Sequence, residues 1–193
     1  MGVNKLALPF GEKTIGNSVL EKAVNSELDY TIVVAREEDP LHWIDRTLFG
    51  TPLQERWKAV VCRDTDKGQA HSLQCGLRAA VEMGPEGVMI LLADQPLLQV
   101  EIINDLVLRY LKVNQKDVTF LAASFQGIPR PPIIFSPKVV PDLLKLKGDE
   151  GARQLLKENK LTGILVDYEN AWDFFDVDTK DEYEWLKGCG HEW

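Results

Sequence analysis

The sequence has few cysteines, a shortage of basic residues and no long apolar run. No hydrophobic stretch approaches the roughly 20 residues needed to cross a bilayer, so we expect no membrane insertion. Acidic side chains outnumber basic ones, 30 against 22, and the net charge is −8. Tight non-specific binding to nucleic acid relies on a lysine and arginine surplus, so a nucleic-acid partner is not expected.

The three cysteines, Cys62, Cys75 and Cys189, are scattered and odd in number. This distribution favours reduced thiols over a disulfide framework. The first residues, MGVNKLALPF, lack the long apolar segment and the small-residue cleavage site of a secretory signal. We therefore expect a cytoplasmic protein with free thiols.

The 193 residues have the length of one domain, and we expect a single domain over 1–193. Short apolar runs rich in β-branched and aromatic residues alternate with segments of helical periodicity. This alternation predicts an α/β fold with a mostly parallel sheet flanked by helices on both faces. The predicted strands are 30–35, 57–62, 87–93 and 118–125, and the predicted helices are 17–26, 69–83 and 101–113.

The second half of the chain is rich in proline from about residue 126. Because proline cannot donate to a strand ladder, the stretch PPIIF (131–135) is predicted to be an edge strand. Three further elements are predicted: a short helix opened by Ser136 and Pro137, a strand over 163–168, and a helix with the capping box Thr179 and Glu182.

A carboxylate ends the third apolar run, in the motif LLADQP. In open α/β sheets, ligands gather at the carboxyl ends of the parallel strands. Asp94 at such an end faces a cleft, and together with other acidic groups it can hold Mg²⁺. The alternative is that Asp94 caps the turn before Pro96.

A polar loop, DKGQAHSLQCGL, connects a predicted strand to the start of a predicted helix. Backbone N–H groups, the Gln69 amide and the Ser72 hydroxyl could meet an anion or a base edge there, and Gly68 lets a ligand approach the backbone. A flexible loop that carries an N-cap would have the same pattern.

Six motifs follow one another along nearly the whole chain: MGVNKLALPFG, GQAHSLQCGL, LLADQPLL, PPIIFSP, LKGDEGARQLL and FDVDTKDEY. This ordered set resembles the molybdenum cofactor cytidylyltransferase group of molybdopterin nucleotidyltransferases, which includes accessory proteins of xanthine dehydrogenase. The resemblance implies a Rossmann-like nucleotidyltransferase fold. It also implies a Mg²⁺-dependent transfer of a nucleoside monophosphate from an NTP, with CTP expected, to the phosphate of the molybdopterin cofactor, with release of pyrophosphate.

The resemblance also implies catalytic residues. Lys5 would contact the triphosphate and offset its charge, and Asp94 would bind Mg²⁺. Asp178 would be the second metal ligand, favoured over Asp176. A solvated surface lysine remains the alternative for Lys5, and helix capping remains the alternative for Asp178.

Two substrate-binding segments are implied as well. Gly68, Gln69 and Ser72 would lie near the nucleotide. Asp149 and Arg153, in the motif GDEGAR, would lie on the side of the pterin substrate. Helix capping by Asp149 and a surface salt bridge of Arg153 are the alternatives.

The sequence departs from the family at two places. Relatives carry a hydrophobic strand and a glycine-rich loop ahead of the segment that begins here with Met1. The absence of a central strand should expose the edges of both neighbouring strands. Either the natural protein is about 15 to 20 residues longer, or this is a genuine short form with weakened catalysis. Relatives also have glycine where Arg130 precedes the proline pair, which affects the local turn and the substrate pocket beside it.

Other activities are compatible with the same motifs. One alternative is transfer of GMP to the cofactor, or of a nucleotide to a sugar phosphate. Another is a non-catalytic chaperone that holds the cofactor and docks on a molybdoenzyme such as xanthine dehydrogenase.

Overall fold

The computed structural model describes residues 4–113, 117–158 and 161–189. The strands are β1 (Pro9–Phe10), β2 (Lys13–Thr14), β3 (Thr31–Arg36), β4 (Trp57–Cys62), β5 (Val88–Ile90), β6 (Phe120–Phe125), β7 (Ile128–Phe135) and β8 (Gly163–Asp167). The α-helices are α1 (Ile15–Val24), α2 (Gln69–Val81), α3 (Val100–Lys112), α4 (Val140–Leu143) and α5 (Lys180–Cys189). Short 3-10 helices lie at Lys5–Ala7, Arg46–Phe49, Leu53–Arg56, Thr65–Lys67, Pro137–Val139, Ala152–Glu158 and Ala171–Phe174.

The described strands form three sheets. Strands β1 and β2 make an antiparallel pair, β3 and β4 make a parallel pair, and the largest sheet has the order β5-β7-β6-β8. In that sheet β7 runs antiparallel to both of its neighbours, while β6 and β8 are parallel. The fold is therefore mixed α/β, and the prediction of a mostly parallel sheet is confirmed only in part.

Helices cover both faces of the largest sheet, as predicted. Consecutive residues of a strand point to opposite faces. In β6, Ala122 packs in one core cluster with Leu77 of α2, whereas Leu121 packs in another with Leu106 of α3. Helix α2 also packs against β3 and β4, so the same helix supports two sheets.

Strands β3 and β5 each pair on one side only within the described part of the chain. Both strands line a single open cleft of about 2670 Å³. Each of these two strands thus has one unpaired edge in the described part of the chain, as β4 and β8 also have. A longer natural chain stays a prediction.

The proline-rich stretch 131–135 is not at an edge, so that prediction was wrong. Strand β7 lies between β5 and β6. The β6–β7 register passes from Ala122 opposite Ile133 to Ala123 opposite Arg130. Pro131 and Pro132 thus lie at an irregularity, where the missing N–H groups interrupt no regular ladder.

Cys62 and Cys75 form a disulfide, which contradicts the expectation of free thiols. Cys62 ends β4 and Cys75 lies in α2, and the packing of this helix on this strand brings their Cα atoms to 6.0 Å. That separation is usual for a disulfide. The side chain of Cys189 lies outside the described residues.

The predicted capping box is confirmed at the start of α5. The backbone N–H of Glu182 donates to Thr179 Oγ1 at 3.2 Å, and the N–H of Thr179 donates to Glu182 Oε2 at 2.7 Å. Since Thr179 supplies the cap, the Asp178 carboxylate is left for other partners. The strand near 163–168 and the short helix after Ser136 are also found. Among the described helices, none combines the length and apolarity of a membrane span.

Candidate active site

Asp94 follows β5 in a turn that is tied to the rest of the chain on both sides. Its carbonyl oxygen accepts a hydrogen bond from the N–H of Val177 at 3.0 Å. The carbonyl oxygen of Pro96 accepts hydrogen bonds from Ser18 Oγ at 3.3 Å and Lys22 Nζ at 2.7 Å. These bonds fix the position of the Asp94 carboxylate, which lines the cleft.

Lys5 bridges two carboxylates from distant parts of the sequence. Its Nζ donates to Asp94 Oδ2 at 2.5 Å and to Asp178 Oδ1 at 2.7 Å. Asn4 holds the lysine's short helix by accepting a hydrogen bond from the Leu6 N–H at 3.1 Å. Burial opposes the charge of Lys5, but the hydrogen bonds and charges of Asp178 and Asp94 outweigh it and raise the pKa of the ammonium group.

A third carboxylate, Asp176, adjoins this bridge. Its Oδ1 atom and the Oδ1 atom of Asp94 are both buried, and neither has a hydrogen-bond partner among the described residues. Burial, followed by the negative charge of Asp94, raises the pKa of the Asp176 carboxyl. Sequence reasoning ranked Asp178 above Asp176, whereas the structure brings both to the site. The alternation Asp176-Val177-Asp178 was the sequence signal for this arrangement. Val177 is fully buried, so the side chains of its two neighbours point away from the core that Val177 enters.

The two unpartnered carboxylate oxygens suit a hard divalent cation. No group of three or more His, Cys, Asp or Glu side chains within residues 4–113, 117–158 and 161–189 is arranged to hold a metal. Mg²⁺, however, commonly uses one or two carboxylates and takes its other ligands from water and substrate phosphates. Asp94 with Asp176 or Asp178 therefore fits a cation that arrives with a nucleotide.

Two loops predicted to bind different substrates are in direct contact. Gly68, at the start of α2, has φ +113°, and an added Cβ would lie 2.3 Å from the Gly148 carbonyl group. The N–H of Ala70 donates to the carbonyl oxygen of Gly148 at 2.9 Å. A Cβ on Gly151 would lie 2.7 Å from Oε1 of Gln69. The loops therefore form one wall of the cleft.

The remaining predicted residues also line the cleft. Ser72 is half-buried, while Gln69, Asp149 and Arg153 are exposed. In the described part of the chain, the Arg153 guanidinium has neither an ion pair nor a hydrogen bond, so the salt-bridge alternative for Arg153 is not observed. All predicted site residues thus face the same cleft, and Asp176 joins them.

Three comparisons with known proteins show what the chain is similar to. Residues 1–163 match the family model described as "MobA-like NTP transferase domain". The chain is 42% identical over 189 residues to the purine catabolism protein PucB of Bacillus subtilis (strain 168), covering 97% of this chain and 89% of PucB.

Solved structures share the fold. Rv0371c of Mycobacterium tuberculosis H37Rv superposes with a TM-score of 0.79 at 22% identity, covering 97% of this chain and 91% of that one. The structure of Rv0371c in complex with manganese gives a TM-score of 0.73 at 19% identity, and the match covers 97% of this chain and 93% of that one. A cytidylyltransferase from Leptospira borgpetersenii serovar Hardjo-bovis gives 0.69 at 24% identity, covering 98% and 80%.

Replacement of Gly68 by alanine is expected to push the two loops apart. The new Cβ meets the Gly148 backbone, so the loops must shift. We expect Gly68→Ala to lower the free energy of unfolding by about 1–3 kcal/mol more than Gly84→Ala does. Gly84 is the matched control, because it has φ +65° but no atom within 4 Å of an added Cβ. Equal losses of stability in urea denaturation would contradict the loop contact.

Replacement of Asp176 by asparagine is expected to stabilise the ligand-free protein near neutral pH. A carboxyl whose pKa is raised in the folded state favours folding while protonated, and this contribution is lost as the pH rises through the folded-state pKa. Asp176→Asn removes the buried charge, so its gain in the free energy of unfolding should be clear at about pH 7 and small at about pH 3.5.

The pH dependence is measured by urea denaturation without divalent cation. Asp142→Asn, which alters a surface carboxylate paired with Lys145, is the control. A loss of stability in Asp176→Asn at neutral pH would show that the carboxylate has a structural partner instead.

Proposed function

The chain belongs to the MobA-like NTP transferase family and is a nucleotidyltransferase, and on this premise we propose that it transfers CMP from CTP to the phosphate of the molybdopterin cofactor. Pyrophosphate is the second product, and Mg²⁺ is the cofactor. One observation carries the proposal: Asp94, at the end of β5, binds Lys5 through one carboxylate oxygen and keeps the other buried and unpartnered beside Asp176.

The reaction is an in-line displacement at the α-phosphorus of CTP. An oxygen of the acceptor phosphate forms a bond to this phosphorus, and the bond from the phosphorus to the oxygen bridging to the β-phosphate breaks. The bonding electrons leave with pyrophosphate. Phosphate oxygens are already ionised at neutral pH, so no general base is needed, and no histidine takes part in the bridge from Lys5 to Asp94 and Asp178.

Lys5 is placed to act on the transferring group. In the free protein its ammonium group is shared between Asp94 and Asp178. With nucleotide bound, the same charge would offset the negative charge on the phosphate oxygens. Its raised pKa keeps the amine protonated at neutral pH.

Asp94, with Asp178 or Asp176, would hold the magnesium ion. When bound, the ion supplies Lewis-acid neutralisation of phosphate charge. The structural relative solved with manganese supports a divalent cation, because Mn²⁺ and Mg²⁺ share a preference for oxygen ligands.

The two cleft loops would hold the substrates. The N–H of Ala70 is already bonded to Gly148, but the backbone N–H groups of Gly68 and Gln69 at the start of α2 would donate to phosphate oxygens. The Gln69 and Ser72 side chains add polar groups beside them. Asp149 and Arg153 would contact the acceptor. Their exposure at the cleft wall leaves both side chains free to do so.

The choices of base and acceptor rest on relatives. A cytidylyltransferase among the structural neighbours favours CTP over GTP. The name of PucB points to purine catabolism, which suits delivery of the finished cofactor to a molybdoenzyme such as xanthine dehydrogenase. GMP transfer is the competing activity, because a molybdopterin-guanine dinucleotide biosynthesis protein A from Archaeoglobus fulgidus also shares the fold, with a TM-score of 0.67 at 16% identity.

The direct test is pyrophosphate release by the purified chain with molybdopterin cofactor, Mg²⁺ and either CTP or GTP. We expect release that requires the cofactor and is faster with CTP. Faster release with GTP would reassign the base. Tight binding of the cofactor without pyrophosphate release from either nucleotide would support the chaperone alternative and overturn the proposal.

The residue-level test is Asp94→Asn. The loss of a carboxylate that binds both Lys5 and the metal should lower the rate of pyrophosphate release by about 100-fold or more. Added Mg²⁺ with CTP should raise the melting temperature of the wild type but not of this variant. Asp142→Asn is the control for both measurements, and an unchanged rate in Asp94→Asn would remove the metal assignment.

A further inference from the structure

Arg130 lies at the cleft wall, and part of its guanidinium group lacks a hydrogen-bond partner within the described part of the chain. Its Nε atom is buried and has no hydrogen-bond partner within residues 4–113, 117–158 and 161–189. The residue lines the same cleft as Asp94 and Asp176. A buried donor without a partner costs about 1–3 kcal/mol, so native proteins rarely keep one without a use for it.

The register of β7 places Arg130 beside the catalytic carboxylates. Strand β7 is antiparallel to β5, and Ile133 lies opposite Ile90. Residues before Ile133 therefore run past the end of β5, where Asp94 lies. The shift in the β6–β7 ladder sets Arg130 opposite Ala123, and such irregularities redirect a side chain.

Arg130 does not act as the structural counter-ion of Asp176. Both side chains line the same cleft. Within the described part of the chain, Arg130 Nε and Asp176 Oδ1 nevertheless both lack a hydrogen bond. An arginine and a carboxylate that serve only each other form direct, often bidentate bonds. The arginine is therefore available to an anion and the carboxylate to a cation.

Arg130 lines the same cleft as Asp149 and Arg153, the two residues that the proposed function assigns to the acceptor. The triphosphate has other candidate partners, namely Lys5 and the start of α2. A planar guanidinium binds phosphate oxygens in a fixed, bidentate geometry.

We propose that Arg130 binds the phosphate monoester of the acceptor and orients the attacking oxygen toward the nucleotide. This inference rests on the proposed function. It makes Arg130 the residue that distinguishes a phosphorylated acceptor from the same molecule without its phosphate.

The test compares Arg130→Gln and Arg130→Lys with the wild type. KM is measured for molybdopterin cofactor and for CTP by pyrophosphate release. We expect Arg130→Gln to raise KM for the cofactor by about 10-fold or more and to leave KM for CTP nearly unchanged. Arg130→Lys should recover part of the loss. Arg109→Gln, which alters an exposed arginine paired with Asp105, is the control.

Binding measurements separate this inference from the proposed function. The cofactor and its dephosphorylated form are titrated calorimetrically into wild type and Arg130→Gln. Preferential binding of the phosphorylated form by the wild type, lost in the variant, supports the role of Arg130 even if CTP and GTP give no turnover. Equal affinities in the two proteins, or an equal rise in KM for CTP, would overturn it. Melting temperatures confirm that the variants fold.

Discussion

The bridge from Lys5 to Asp94 and Asp178 is the interaction on which the site depends. It joins the first described helix of the chain, the turn after β5 and the segment before α5, and its outer members are 173 positions apart in the sequence. Because the side chain of Asp178 is 65% exposed, the outer half of the bridge adds little to stability. Its importance lies in placing one cation among three carboxylates.

That placement leaves some of the carboxylate oxygens without a hydrogen-bond donor in the described part of the chain. Lys5 can satisfy two carboxylate oxygens, while the buried Oδ1 atoms of Asp94 and Asp176 remain without donors. A chain with net charge −8 would repel a free nucleotide, but a nucleotide that carries Mg²⁺ presents a positive ion to these carboxylates. Under the proposed function, these unpartnered carboxylate oxygens would favour a nucleotide that carries Mg²⁺ over one that does not.

The features that the sequence predicted are those with local signals. Asp94 ends an apolar run just before a proline, and Thr179 and Glu182 have capping-box spacing, so a few consecutive residues were enough to predict each feature. The disulfide and the inner position of β7 depend on packing between segments that are distant in the sequence, and no short stretch of sequence includes both segments. Asp176 is an intermediate case. The alternation of Asp176 with Val177 was visible in the sequence, but the extent to which the Asp176 side chain is buried depends on the packing of its segment near β5.

Arg130 illustrates the same limit. In the sequence it was only a departure from the family at a turn, because its proposed role depends on the ladder shift that brings β7 past the end of β5.

Helix α2 likewise acquires its importance from tertiary structure: it supports both larger sheets and begins at the Gly68 loop. The position of Gly68 thus determines where one wall of the cleft lies.

The free edges of β3 and β5 also affect how the protein behaves in concentrated solution. Each presents a row of backbone donors and acceptors that another extended chain can complete. Such edges recruit partners irrespective of side-chain identity, so crowding should promote strand-mediated self-association. The acidic surface opposes this process through mutual repulsion, and added salt weakens that protection by screening. Colloidal stability of the protein is therefore expected to fall as ionic strength rises.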